Sequence, residues 1–331
     1  MRYYIVAEVR EEHESLLGQE FVYNDYVSRK SMVEFADACC RKGYDCKFIG
    51  GMEALLKMKD ENLNNCIFIN YNYGYPSQFK RGQSPILLEM MKAQYSGSDP
   101  LTSLLVNDKA FSKKILKNIV NSPKSCLILS NEDINKIDEF SFKFPVVVKP
   151  NAEGSSLGID DDCLCYDIES TRNKILSLHS RYQQVLVEEY IEGFEVTVWI
   201  IGNKNDYELI QPLVISANET YYFEKKIFTL KDKANHIRKY SLPNKILSSF
   251  MINKIIETSK TIFEELGMRD YARIDYRINN NDIFFIEANA LPIFSKTSEI
   301  GEICNMCKID YDEICEKMIL TITKRLMSKA D

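Results

Sequence analysis

The segment spanning residues 271–289, YARIDYRINNNDIFFIEAN, constrains this chain more than any other. Two runs rich in β-branched and aromatic side chains, 272–278 and 283–289, flank the turn-forming residues Asn279, Asn280, Asn281 and Asp282, and read as a hairpin. Successive strand side chains point to opposite sides. Arg273, Asp275 and Arg277 therefore share a face of the first strand, and Glu287 and Asn289 share a face of the second. With the hairpin centred on Asn281, Asp275 is expected opposite Glu287 and Arg273 opposite Asn289, while Ile274, Tyr276, Phe284 and Ile286 fall on the other face. Directly opposed carboxylates repel, so this arrangement asks for a cation. Two carboxylates and an amide oxygen are hard ligands, suited to a Mg²⁺ that also touches nucleotide phosphates.

A chain of 331 residues exceeds a typical single domain, so two or three subdomains around a substantial core are expected. The formal net charge of −6 and the lack of any lysine or arginine run argue against a nucleic-acid partner. Residues 1–12 carry one early arginine and then Glu8, Glu11 and Glu12, which is no leader pattern, and no apolar run approaches the roughly 18 residues of a membrane span. A cytoplasmic protein with no membrane partner is the expectation. The ten cysteines read as reduced thiols. With three histidines in all and none near Cys163/Cys165 or Cys304/Cys307, a zinc site is not expected.

Along the chain, strands at 3–9, 46–49 and 66–70 and a helix at 31–42 suggest a small parallel sheet, Rossmann-like but without a GxGxxG turn. A helix is expected at 85–94, turn chemistry at 95–100 and an amphipathic helix at 108–119, with a boundary near 107. Residues 145–150 form a short apolar strand that runs through Lys149 into a glycine-containing loop ending at Gly158, a composition that can wrap a polyphosphate. The strand 185–190 ends in adjacent acids, so Glu188 and Glu195 could offer carboxylates to an adenosine. A polar segment, 216–243, is too long for a simple connection and reads as a lid. The expected class is α/β with α+β character, divided as 1–107, 108–189 and 190–331.

Taken together and in this order, these segments resemble the ATP-grasp enzymes, specifically the D-alanine:D-alanine ligases. The resemblance spans residues 95–298. Phe144-Pro-Val-Val-Val-Lys-Pro-Asn-Ala-Glu-Gly-Ser-Ser-Leu-Gly158 looks like the family's phosphate loop, 185–195 like its adenine-binding hinge, and Ala272-Arg-Ile-Asp275 with Ile286-Glu-Ala-Asn289 like its metal-binding end. Tyr95-Ser-Gly-Ser98 and Asn107-Asp-Lys109 also match. The resemblance implies an ATP-grasp fold behind a Rossmann-like N-terminal domain, small-molecule amino-acid substrates, ATP, and Mg²⁺ or alternatively Mn²⁺; dimers are usual in the family. It assigns Lys109 and Lys149 to the phosphates, Glu188, Glu189, Ile191 and Glu195 to the adenosine, and Asp275, Glu287 and Asn289 to the metal. Tyr221 and Lys226 fall where the family has its mobile lid, Lys226 as the γ-phosphate contact. Ser155 and Ser298 would lie beside substrate, and Arg273 would stabilise the developing oxyanion.

The implied chemistry joins an amino acid's carboxylate to an amine through an acyl phosphate. Departures from the family pattern fall on the substrate side. Tyr26 stands where an acid precedes the Val-Ser pair, with Asp25 as a substitute; Asn70-Tyr-Asn-Tyr-Gly74 replaces a histidine-containing loop; and Ile293 and Glu299 replace a glycine and a hydrophobic residue. Glu299 suggests a polar, cationic or longer second substrate. The alternative is thus a specialised ligase of a natural-product pathway acting on amino acids other than D-alanine.

Overall fold

Apolar runs of two kinds, continuous and alternating, sort this chain into three sheets, which the computed structural model describes over residues 1–13, 26–229, 231–232, 235 and 237–328. Strands β1 (Arg2–Val6), β2 (Asp45–Gly50), β3 (Cys66–Asn70) and β4 (Gln94–Tyr95) pair in parallel in the order β2-β1-β3-β4. All five residues of β3 are buried, as a parallel strand covered on both faces requires. Helix α1 (Arg29–Arg41) starts at Ser28, whose hydroxyl accepts from the Ser31 N–H; α2 (Met52–Lys57) and α3 (Lys80–Met90) follow. β1 stops at Val6, short of the expected 3–9, and Val9 makes only a lone bridge to Val27.

The region around residue 100 differs from expectation for a local reason. Asp99-Pro100 reads as a turn, but Asp99 accepts from the Thr102 N–H and Pro100 occupies the first helical turn, so the pair starts α4 (Pro100–Asn107). Asp108 is extended and caps α5 (Lys109–Ile115), which ends four residues before the expected Ile119. α3 likewise starts before the expected 85–94 and contains Pro85.

The second sheet comprises β5 (Ser125–Ile128), β6 (Val146–Pro150), β7 (Leu164–Cys165) and β8 (Val185–Glu189), antiparallel in the order β5-β8-β6-β7, with α6 (Lys136–Glu139) and α7 (Ile168–His179) between its strands in the chain. The third is built from β9 (Gly193–Asn203), β10 (Asp206–Ala217), β11 (Tyr222–Phe223), β12 (Arg238–Ser241), β13 (Asp270–Asn279) and β14 (Asp282–Asn289). Its order is β12-β10-β9-β13-β14, with β11 against β9. Residues 216–243 therefore supply the end of β10 and two short strands; Leu230, Lys233, Ala234 and His236 lie outside the described residues. α8 (Ser249–Glu265) packs on this sheet through Ile255, Ile262 and Phe263, and α9 (Glu299–Cys307) and α10 (Tyr311–Met327) complete the chain.

One core joins the first and third sheets. Ile5 and Ile69 share a cluster with Phe35 of α1, Trp199 and Ile201 of β9, Tyr271 of β13, and Ile314, Met318 and Ile322 of α10. The Tyr3 hydroxyl lies 2.9 Å from the Thr323 hydroxyl. Asp270, fully buried with φ +66°, accepts from Arg325 at 2.6 and 2.7 Å and from the Gly97 N–H at 2.8 Å, tying β13 to α10 and the first sheet. Among the described residues no helix is long and apolar enough to cross a membrane.

Candidate active site

The β13–β14 hairpin pairs Arg273 with Asn289 and Asp275 with Glu287. Nearer the turn the register differs by one: Tyr276 faces Phe285 and Arg277 faces Phe284, and Ile286 bulges out to restore the Asp275–Glu287 pair. The bulge corrects the expected apolar face. Ile283 and Phe285 enter the core with Tyr276 and Ile278, whereas Phe284 shares the face of Arg277 and Ile286 lines the cavity.

That cavity, about 730 Å³, opens where the three sheets meet. Arg273 is held by two carboxylates: Nε and Nη2 donate to Asp275 at 3.1 and 2.9 Å, and Nη1 donates to Glu299 Oε1 at 3.3 Å. Burial opposes its charge, but Asp275 and Glu299 keep it protonated well above its ordinary range. The opposed carboxylates separate. Burial raises Asp275 and Glu287 adds to the rise, against the pull of Arg273. Burial also opposes the charge of Glu287, yet Lys109, Lys149 and Arg273 bring its pKa down to about 2. Lys109 Nζ is 3.3 Å from Glu287 Oε2, and the Thr197 hydroxyl donates to Asp275 at 2.6 Å.

Asp275, Glu287 and Asn289 make a set of two carboxylates and one amide. Among the described residues no three His, Cys, Asp or Glu side chains converge as a protein-only metal cage. A set this sparse fits a hard cation such as Mg²⁺, which keeps its remaining positions for phosphate and water oxygens. Lys109 and Arg273, which balance the two carboxylates here, stand where phosphate charge would also be met.

Above the hairpin, the loop after β6 turns through Ser155 and Ser156, both in the left-handed region at φ +54° and +59°. Consecutive non-glycine residues there store strain of the kind found at ligand clamps. Ser155, Glu189, Ile191, Glu195 and Ser298 line the same cavity as Lys109, Lys149 and the hairpin. Glu195 faces Arg277 at 3.0 Å and Arg238 at 3.6 Å. Burial would raise Glu299, but Arg273 and Arg238 hold it below the usual carboxylate range; Tyr240 donates to it at 3.1 Å.

Three expected residues are arranged otherwise. Glu188 lines the cavity but both its oxygens are taken, one by Lys149 and one by Lys113, so it anchors lysines instead of presenting an open carboxylate. Lys226 pairs with Asp232 of its own segment at 3.0 Å and Tyr221 shares a hydrogen bond with Ser241 at 3.1 Å; neither reaches the cavity wall. Asp25 lies outside the described residues. Arg238, Tyr240, Thr197 and Lys113 were not singled out from sequence. Two of them carried a periodic signal: Thr197 is two residues from Glu195 on one strand, and Lys113 is one helical turn from Lys109.

The family described as D-ala D-ala ligase C-terminus matches residues 124–320, more than half of the chain. The chain belongs to the D-alanine–D-alanine ligase family. A D-alanine–D-alanine ligase of Carboxydothermus hydrogenoformans is 28% identical over 86% of this chain and 89% of its own length. That of Desulforamulus reducens is 31% identical over 70% and 74%. The fold is that of the Bacillus anthracis D-alanine–D-alanine ligase solved with ATP, with a TM-score of 0.74 and 20% identity over 99% of both chains. The VanG D-Ala:D-Ser ligase of Enterococcus faecalis gives 0.69 and 17% over 97% and 99%. This member of the ligase family is thus an ATP-dependent enzyme of the ATP-grasp fold that forms a peptide bond.

Proposed function

We propose that this ligase joins two amino acids through an acyl phosphate, with D-alanine, which its relatives' names supply, as the candidate for both. The reading rests on one observation: Asp275, Glu287 and Asn289 share a strand face with Arg273 and open into the cavity that Lys109 and Lys149 also line. Mg²⁺, when bound by those three residues, would neutralise charge on the transferring phosphoryl group. Lys109 and Lys149 meet the nucleotide's phosphates, and Glu195 with the 189–191 backbone receives the adenosine. The first substrate's carboxylate attacks the γ-phosphorus and ADP leaves; the second substrate's amine, having given up a proton, attacks the resulting acyl carbonyl, and inorganic phosphate leaves as the amide forms. Arg273, pre-oriented by Asp275 and Glu299, donates to the oxyanion that develops there. Ser155 and Ser298 contact the amino acids, and Lys226 leaves Asp232 for the γ-phosphate when the 216–243 segment closes and excludes water. The units 1–107, 108–189 and 190–331, a cytoplasmic setting and a homodimer belong to the same proposal.

Glu299 supports a second reading, a specialised ligase whose amine-donating amino acid is not alanine. Arg273 and Tyr240 both donate to Oε1 of this part-buried carboxylate, so an apolar side chain would desolvate Oε2 without offering it a donor. ADP release measured over pairs of amino acids in both configurations separates the two. Release with D-alanine alone supports the first reading. Release that needs another amino acid supports the second, and no release with any pair refutes both.

A further inference from the structure

Lys149 reaches the cavity from β6, but its ammonium is engaged. It pairs with one oxygen of Glu188 on β8, whose other oxygen pairs with Lys113 on α5. The three side chains are at most 7% exposed. Lys149 and Glu188 line the cavity and Lys113 does not. A buried one-to-one pair is neutral, so Lys149 matched with Glu188 alone would offer an arriving phosphate no net charge. Two ammoniums on one carboxylate leave a net positive charge in a site shielded from water, where it is strongest. Each carboxylate oxygen then has its own donor, which fixes the carboxylate plane and with it the Lys149 head group. Lys113 is also one helical turn from Lys109, so α5 carries both the lysine beside Glu287 and the one behind Lys149.

We propose that Lys113 is a positioning residue for the nucleotide: acting through Glu188, it orients Lys149 and keeps the triad cationic. The inference rests on the reading that Lys149 meets nucleotide phosphates. The charged groups around Lys113 are Glu188 from β8, Lys149 from β6 and Lys109 from its own helix. Burial lowers the Lys113 pKa to about 8 although Glu188 opposes the fall. Lys113 is therefore charged below about pH 8, and the triad loses its net charge as pH rises through that value. Arginine at this position stays charged throughout.

The test is the Mg-ATP dissociation constant by titration calorimetry, with KM and kcat from ADP release, between pH 7 and 9.5 for the wild type, K113M, K113R and K149M. Lys113→Met is expected to weaken Mg-ATP binding about tenfold at pH 7.5, the effect of one charged hydrogen bond, with little pH dependence. Its kcat should stay within about threefold of wild type, because Lys113 touches no reacting atom. Lys113→Arg should bind as the wild type does at pH 7.5 and should lack the weakening expected of the wild type above about pH 8. Wild-type binding by K113M overturns the proposal, and so does an alkaline loss that persists in K113R. Should K113M not fold, the comparison of K113R with the wild type across pH decides alone. If K149M binds Mg-ATP normally, the nucleotide reading of Lys149 falls; if K149M fails while K113M is unaffected, only the role of Lys113 falls.

Discussion

Consider replacing each member of the opposed carboxylate pair by its amide. Burial disfavours the Glu287 charge, but Lys109, Lys149 and Arg273 move its pKa from 4.5 to about 2. That shift corresponds to roughly 3 kcal/mol in favour of the ionised form in the fold. With 22% of the side chain open to solvent, about 2 kcal/mol is the better figure. A depressed carboxylate contributes stability that is present above its unfolded value of 4.5 and lost as pH falls toward 2. Glu287→Gln should thus lower the unfolding free energy by about 2 kcal/mol at pH 7, and the gap to wild type should close below pH 4.5. Asp275 has the opposite sign, because burial and Glu287 raise its pKa, so its ionised form opposes folding at neutral pH. Asp275→Asn is therefore expected to leave stability unchanged or raised. Both variants should lose ADP release by about 100-fold or more, since each removes an oxygen ligand from the phosphate-facing side. Urea unfolding at pH 7 and at pH 3, with ADP release measured against Mg²⁺ concentration, checks all of this. Wild-type turnover by Glu287→Gln would refute the metal assignment, and equal destabilisation of both variants would refute the electrostatic account.

Glu299→Leu removes the carboxylate 3.3 Å from Arg273. Initial rates should show the KM of the amine-donating amino acid changed several-fold with that of ATP unmoved; a change confined to ATP would contradict a substrate role. Asp270→Asn keeps a residue type that tolerates positive φ but leaves Arg325 unpaired in a buried site. A loss of about 3 kcal/mol in urea unfolding is expected, and near-wild-type stability would show that the pair contributes little.

The catalytic face was legible because strand alternation is a strict period of two, so Arg273 and Asp275 share a face of β13, and Glu287 and Asn289 a face of β14, wherever the turn lies. The turn falls between Asn280 and Asn281 instead of on Asn281, and the bulge offsets that difference in the pairing of Asp275 with Glu287. The same rigidity explains the error beside it. The bulge at Ile286 adds one residue to β14, which leaves Asp275 opposite Glu287 but exchanges the roles of Phe284 and Phe285. No local composition marks a bulge. Asp99-Pro100 carries equally good signals for a turn and for a helix start, and only the capped Thr102 N–H decides between them. The lysines that share Glu188 come from residues 113 and 149, a helix and a strand that no sequence pattern relates. Arg238 and Tyr240 sit in the 216–243 segment, which reads from its polarity and length as a lid, although they form a strand edge beside Glu195 and Glu299.

The core that joins β1 to α10 also sets an order of events during synthesis. Tyr3 and Ile5 leave the ribosome long before the residues that cover them, Ile314, Met318, Ile322 and Thr323. The second sheet, assembled from residues 125–189 around its own cluster, can close while translation continues. The opening strands must wait, with apolar surface uncovered, until some three hundred further residues have been made. The nascent chain is therefore most vulnerable to chaperone capture and proteolysis at β1 and β3, and a stop codon ahead of α10 would damage the first sheet before it touched the ATP site.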